Sequence, residues 1–165
     1  LLYGNTAHPL SRALGISHAE AQRFIDGYFD RYPGVREFVK ETLAGAEERG
    51  YVKTLFGRKR EIPELKSRDR NVRLQGERMA VNTRVQGTAA DLMKRAMIDL
   101  DEVLRREEPG VRMVLQVHDE LVFEVPSAVD RTRLEGIVRA GMENAGPLSV
   151  PLTVDLHWGN NWAEA

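Results

Sequence analysis

The sequence predicts an α+β fold, with helices flanking a small antiparallel sheet. Three observations lead there. Apolar residues recur at helical spacing through 17–50 and again through 71–107. Shorter runs, around 51–63 and 111–125, read as hairpins. The composition, 42% hydrophobic and 30% charged over 165 residues, is that of a soluble globular protein able to bury one good core or two small ones.

The elements follow in order. Ser17-His18-Ala19-Glu20 is a capping-box signature. It starts a helix in which Phe24, Ile25, Tyr28 and Phe29 repeat on one side, and these aromatics are expected in the core rather than stacked on a base. Pro33 ends it. A second helix places Val35, Phe38, Val39, Thr42, Leu43 and Ala46 on one face, with Gly50 as its C-terminal cap. The 51–63 hairpin turns near Gly57-Arg58. The polar segment 64–70 reads as an exposed connector. The long helix has Leu92, Met93, Ala96, Met97, Leu100, Val103 and Leu104 at core spacing; Gly87 marks a bend, and Pro109-Gly110 ends it. After the second hairpin, Ser127 opens a helix with Leu134, Ile137, Val138 and Met142 inward. Leu152, Val154 and Leu156 suggest a last alternating strand.

Three features bear on chemistry. First, Val111, Met113, Leu115 and Val117 alternate before His118-Asp119-Glu120, and Leu121, Phe123 and Val125 resume afterwards. This predicts a tight hairpin with acids at its tip. A carboxylate there is well placed to hold a metal ion, although Asp is also simply a favoured turn residue. Second, the net charge of −1 hides an asymmetry: residues 49–73 hold nine basic and three acidic residues, a local charge of +6, so the rest carries −7. Such a patch fits phosphate-backbone contact, or a solvated charged surface. Third, Asn71, Gln75, Arg78, Asn82 and Gln86 are spaced by 4, 3, 4 and 4 and share a helix face. All can donate hydrogen bonds and none is acidic. A DNA minor groove offers purine N3 and pyrimidine O2 acceptors at nearly the same place on every base pair. An exposed polar helix face is the plainer reading.

A resemblance bears on these alternatives. Gln116-Val117-His118-Asp119-Glu120-Leu121-Val122 resembles the third polymerase motif of family A DNA polymerases, the bacterial DNA polymerase I type. Leu2-Tyr3-Gly4 resembles the end of that family's second motif, and Asn82-Thr83-Arg84-Val85-Gln86-Gly87-Thr88-Ala89-Ala90-Asp91 its long palm helix. Thr54-Leu55-Phe56-Gly57-Arg58 and Gly159-Asn160-Asn161-Trp162 also match. The likeness covers essentially the whole chain.

The resemblance implies a partial fingers subdomain over 1–69 and a partial palm over 70–165. It implies template-directed addition of deoxynucleotides to a primer 3′ end, with primer–template DNA and deoxynucleoside triphosphates as partners and Mg²⁺ as cofactor. Asp119 is then the metal ligand. Glu120, whose neighbour in extended chain points to the other face, assists near the primer end. His118 is a hydrogen-bond donor to the primer strand, or else a satisfied turn histidine. Arg78, Asn82 and Gln86 approach the primer–template, and Tyr3 matches a position beside the templating base. Arg84 stands where the family often carries Pro. A second metal-binding Asp and the nucleotide-binding Lys and Arg belong to upstream segments that this sequence does not contain. The chain is therefore expected to be part of a longer, monomeric polypeptide, and inactive by itself.

Two rivals belong to other classes. One is a non-catalytic duplex-DNA-binding module using the basic segment and the polar stripe. The other is a His-Asp metal phosphohydrolase using His118-Asp119, for which His8, His18 and His157 provide no supporting pattern. With no cysteine, disulfides and thiolate metal sites are excluded. No apolar run approaches the ~20 residues that span a bilayer, and no signal peptide is evident. A cytoplasmic protein without a membrane partner is expected.

Overall fold

The computed structural model describes residues 7–164, so Tyr3 and its neighbours Leu2 and Gly4 lie outside the described residues. The chain forms two compact units, one ending at Thr88 and the other beginning at Ala89. Both are α+β, each with one two-stranded antiparallel sheet among the described residues. Among the described residues, no helix is long and apolar enough to cross a membrane.

The first unit opens with α1 (Ala7–Leu14), which the sequence reading did not anticipate, and α2 (His18–Arg31). The capping box at Ser17 forms as expected. The Ser17 hydroxyl accepts from the Glu20 N–H at 3.2 Å, and the Glu20 carboxylate accepts from the Ser17 N–H at 3.0 Å. The Ser17 hydroxyl and then its N–H hold the Glu20 carboxyl below its ordinary value. Helix α2 stops because Tyr32 precedes Pro33, and a residue before proline avoids helical angles; Tyr32 has φ −124° and ψ 68°. Pro33 then begins α3 (Pro33–Arg49), which ends at Gly50 with φ 77°, a left-handed cap suited to glycine.

Strands β1 (Tyr51–Lys53) and β2 (Lys59–Glu61) pair antiparallel, turning through Gly57 at φ 87°. The chain next makes a 3₁₀ turn at Pro63–Lys66 and enters α4 (Arg70–Glu107). Ala46, Val52, Ile62, Leu65 and Ala80 form the core of this unit, packed by Leu43 and Met79. The segment read as an exposed connector is thus partly core. Leu65 is buried because the 3₁₀ turn points it inward, and its polar neighbours take the outside. Phe24 corrects a second expectation. It is 62% exposed, on an apolar groove between α1 and α2 also lined by Leu10, Leu14 and Tyr28. Helical spacing shows which residues share a face but not what covers that face.

Helix α4 is continuous through Gly87, the residue expected to mark a bend. The missing side chain serves a close approach: a Cβ there would lie 2.9 Å from Thr54 Cγ2. Gly76 does the same nearer the start, where a Cβ would lie 2.9 Å from Glu64 Cβ and 3.0 Å from the Leu65 backbone N.

In the second unit, β3 (Arg112–Val117) and β4 (Glu120–Glu124) form the acidic hairpin. Helix α5 (Arg131–Glu143) packs on it. Leu100, Leu104, Val111, Leu134 and Val138 are the buried centre, joined by Phe123, Leu156 and Trp158. Helix α5 begins after Asp130, not at Ser127. Asp130 accepts from the Arg133 N–H at 3.2 Å, while residues 126–129 close a turn through Val129 N–H to Pro126 O at 3.1 Å. The last strand is also corrected. Leu152, Val154 and Leu156 alternate inward, but the segment joins no sheet among the described residues. Side chains of α5 satisfy Val154 instead: its N–H donates to Glu143 at 3.0 Å, and its carbonyl accepts from Arg139.

Gly76→Ala should lower stability by about 1–3 kcal/mol, because the added methyl meets backbone and a Cβ that cannot turn aside. Gly136→Ala, in open space on α5, should raise it by about 0.5–1 kcal/mol through helix propensity. Urea denaturation of the two variants checks the contrast; equal effects would contradict the packing described.

Candidate active site and nucleic-acid interface

The register of the β3–β4 hairpin decides what stands at its tip. Arg112 pairs with Glu124 and Met113 with Phe123, then the register shifts, and Leu115, Gln116 and Val117 pair with Val122, Leu121 and Glu120. Val114 is the extra residue of a bulge. One extra residue reverses the inward–outward phase of the strand. Met113 therefore packs on the core, whereas Leu115, expected to alternate with it, is 42% exposed.

Val117 and Glu120 close a two-residue turn of His118 and Asp119. His118 has φ 52°, the only positive φ at a non-glycine among the described residues. Positive φ at the first turn position is the type II′ requirement that glycine usually meets. Gln116 Nε2 braces the turn by donating to the His118 carbonyl at 2.7 Å. The expectation of an exposed Asp119 at a hairpin turn is met. Among the described residues, neither the Asp119 nor the Glu120 carboxylate is engaged by a hydrogen bond or ion pair. At the open end of the same hairpin, Glu124 is held by Arg112 at 2.5 Å. The acids at the tip are the ones left free for a ligand. One exposed carboxylate fits a hard cation as a single oxygen ligand. No group of three or more metal-binding side chains converges among the described residues.

The polar stripe lies on α4 within the first unit. Asn71, Gln75, Arg78 and Gln86 are exposed, and Asn82 is half-buried. Asn82 Oδ1 is buried without a hydrogen-bond partner. A buried orphan acceptor is uncommon and calls for an explanation.

The structure also sorts the basic segment, which the sequence presented as one patch. Arg58 donates to the Gly87 carbonyl at 2.9 Å and Arg60 to Thr83 Oγ1 at 3.1 Å, so both tie the hairpin to α4. The signal for Arg60 was available: it alternates with Lys59 and Glu61 along β2. Arg84, whose role the sequence left open, donates to Thr42 Oγ1 at 2.7 Å and stacks on Phe38 at 4.6 Å. It joins α3 to α4. The Gly159-Asn160-Asn161-Trp162 ending folds around Glu164. The Asn160 N–H donates to that carboxylate at 3.1 Å and the Asn161 amide at 2.6 Å. These bonds hold Glu164 below its ordinary pKa, the backbone N–H of Asn160 contributing most.

Comparison with known proteins places this arrangement. The fold is that of a polymerase domain: it superposes with a TM-score of 0.95 on the POL domain of Pol1 from M. smegmatis, solved in complex with DNA primer-template and dNTP. That match has 43% identity and covers 99% of this chain and 29% of the other. The family profile described as DNA polymerase family A matches residues 1–164, and the chain belongs to that family. It is 52% identical to the thermostable DNA polymerase I of Thermus filiformis and 50% identical to that of Thermus aquaticus, over its whole length and 19% and 20% of theirs. It is 45% identical to DNA polymerase I of Bacillus caldotenax, over all of this chain and 19% of that one. The chain thus spans about a fifth of the length of these curated relatives.

Position 118 offers a direct test of the turn geometry. Glycine accepts φ 52° without penalty, whereas a β-branched side chain there is strongly disfavoured. His118→Gly should exceed His118→Val in stability by about 1–2 kcal/mol, read by thermal unfolding. Equal stabilities would mean that the turn does not require the left-handed residue.

Proposed function

We propose that this chain is the fingers-end and palm portion of a template-directed DNA polymerase, with the division near 1–69 and 70–165, and that Asp119 belongs to its nucleotidyl-transfer site. The observation that supports this most is the exposed, unengaged Asp119 carboxylate on a braced hairpin tip. Family membership supplies the reaction. A primer 3′-hydroxyl attacks the α-phosphate of a deoxynucleoside triphosphate and pyrophosphate leaves. Mg²⁺, when bound, stabilises charge on the attacking and leaving oxygens.

Asp119 would hold such an ion by one carboxylate, with further ligands from segments outside this chain. Glu120, first residue of β4, stands beside it toward the primer end. His118 offers an imidazole N–H to the primer strand, from a backbone position fixed by the turn. Along α4, Arg78, Asn82 and Gln86 present donors to minor-groove acceptors that every base pair shares. That contact is blind to sequence and sensitive to pair geometry. Tyr3 is assigned to the templating base on family resemblance alone. The intact polymerase is proposed to be a cytoplasmic monomer.

In the intact polymerase, Asp119→Asn should preserve the fold and most DNA affinity, yet slow the chemical step on the order of 10³-fold, about 4 kcal/mol. Single-turnover incorporation measures this, and a near-normal rate removes Asp119 from the site. The 165-residue chain alone should bind duplex DNA without extending a primer; extension abolished by Asp119→Ala would show a complete site within it.

Gln86→Ala, also in the intact polymerase, should impair extension from a mispaired primer end more than it weakens binding. A minor-groove donor acts at one base pair, while phosphate contacts dominate affinity. Unchanged mismatch discrimination with uniformly lower affinity would remove Gln86 from the groove.

A further inference from the structure

The β1–β2 hairpin separates the basic residues by face. Tyr51 stands opposite Glu61, Val52 opposite Arg60, and Lys53 opposite Lys59. Side chains alternate along a strand, so Val52 and Arg60 share the face that meets the core and α4. Tyr51, Lys53, Lys59 and Glu61 share the other. On that face is a pocket of about 260 Å³, lined among others by Arg49, Tyr51, Lys59, Glu61 and Lys66. Three cations gather over the Tyr51 ring, of which Arg49 and Lys59 line the pocket and Lys53 lies beside it. Lys59 Nζ lies 4.2 Å from the Tyr51 centroid, and Lys53 Nζ and Arg49 Cζ each lie 5.9 Å away.

A glycine makes room for the Arg49 guanidinium. Gly45 is buried in the interior of α3, where glycine costs about 0.5–1 kcal/mol relative to alanine. A Cβ there would collide with the Arg49 guanidinium, 2.9 Å from its Cζ. Gly50, the left-handed cap of α3, also borders the pocket; a Cβ there would make only an ordinary contact with Lys66 Nζ, at 3.9 Å. Against these cations stand Glu61, 3.4 Å from Lys59, and Glu48, 3.8 Å from Arg49. Counting Arg49, Lys53, Lys59 and Lys66 against the two carboxylates leaves a positive excess around the pocket. Gathered like charges repel, and an anion at their centre relieves that repulsion.

We propose that this pocket is a phosphate-binding site, built by Arg49, Lys59 and Lys66 around Tyr51. It shares no residue with the acidic hairpin tip or with the polar stripe. The ligand chemistry is a phosphate oxyanion, supplied by a DNA phosphodiester or by free pyrophosphate. The pocket is smaller than the ~300 Å³ lower bound of drug-sized sites, which suits a small anion. Its existence does not depend on the polymerase reading, and its test involves no primer extension.

The test titrates the 165-residue chain with a short duplex DNA over a range of salt, and separately with pyrophosphate followed by ³¹P NMR. Lys59→Gln/Lys66→Gln should reduce the slope of log affinity against log salt by about 1, as expected for one lost phosphate contact, or weaken pyrophosphate binding at least tenfold. A changed slope identifies the DNA backbone as the source; a change confined to pyrophosphate identifies the free anion. Arg12→Gln/Lys40→Gln removes the same charge elsewhere and should do neither. Gly45→Ala keeps the charge and displaces only the Arg49 guanidinium, and it should weaken whichever ligand the lysine variant weakened. The proposal fails if the lysine variant changes neither ligand, if the Arg12/Lys40 control loses as much, or if Gly45→Ala has no effect.

Discussion

Both hydrophobic cores draw on a single helix, and the demands this makes on α4 govern the structure around them. Ala80 is buried in the core with Ile62 and Leu65, while Leu100 and Leu104 are buried in the core with Val111 and Leu134. The helix must keep a polar stripe exposed as well. Small residues reconcile these demands where neighbours approach closely. Gly76 admits the backbone of the 3₁₀ turn, and Gly87 admits Thr54. The unsatisfied polar groups of the β1–β2 turn then find partners on α4: the Leu55 N–H donates to Thr88 Oγ1 at 2.9 Å, and Arg58 donates to the Gly87 carbonyl. A larger side chain at either glycine would separate surfaces whose hydrogen bonds depend on contact.

The acidic hairpin shows how a small irregularity sets chemistry. Without the bulge at Val114, Leu115 would share the core-facing side with Met113. With it, Gln116 comes opposite Leu121 and can reach forward to brace the His118 carbonyl. The two-residue turn leaves Asp119 no neighbour with which to form an ion pair. Backbone strain at His118 is of the kind that collects at functional sites, maintained by a well-paired ladder on both sides.

Cations in this chain divide into those that hold the fold and those that face solvent. Arg60, Arg84 and Arg58 each donate to a group on another element of the first unit. Lys59, one residue from Arg60, sits on the opposite face of its strand over the Tyr51 ring. Net charge along the sequence cannot make that distinction, whereas the pleat of a three-residue strand does.

Much of this protein was determined locally and could be read from sequence. Ser17 with Glu20, Pro33, Gly50, and Asp119 between two apolar runs act through their own backbone angles or through partners a few residues away. Such interactions survive translation into sequence pattern because the chain itself fixes the distance. The helical spacing of Leu100 and Leu104 belongs to the same class. Other features depended on what lies across from a residue. Phe24 has core spacing and no cover, Leu65 sits among polar neighbours and is buried, and Leu115 lost its phase to a bulge. Gly87 proved to admit a close contact with Thr54, and Leu152, Val154 and Leu156 alternate without joining a sheet. Only tertiary structure decided these, because burial, strand pairing and close approach are relations between segments far apart in the chain, and no local pattern contains the second partner.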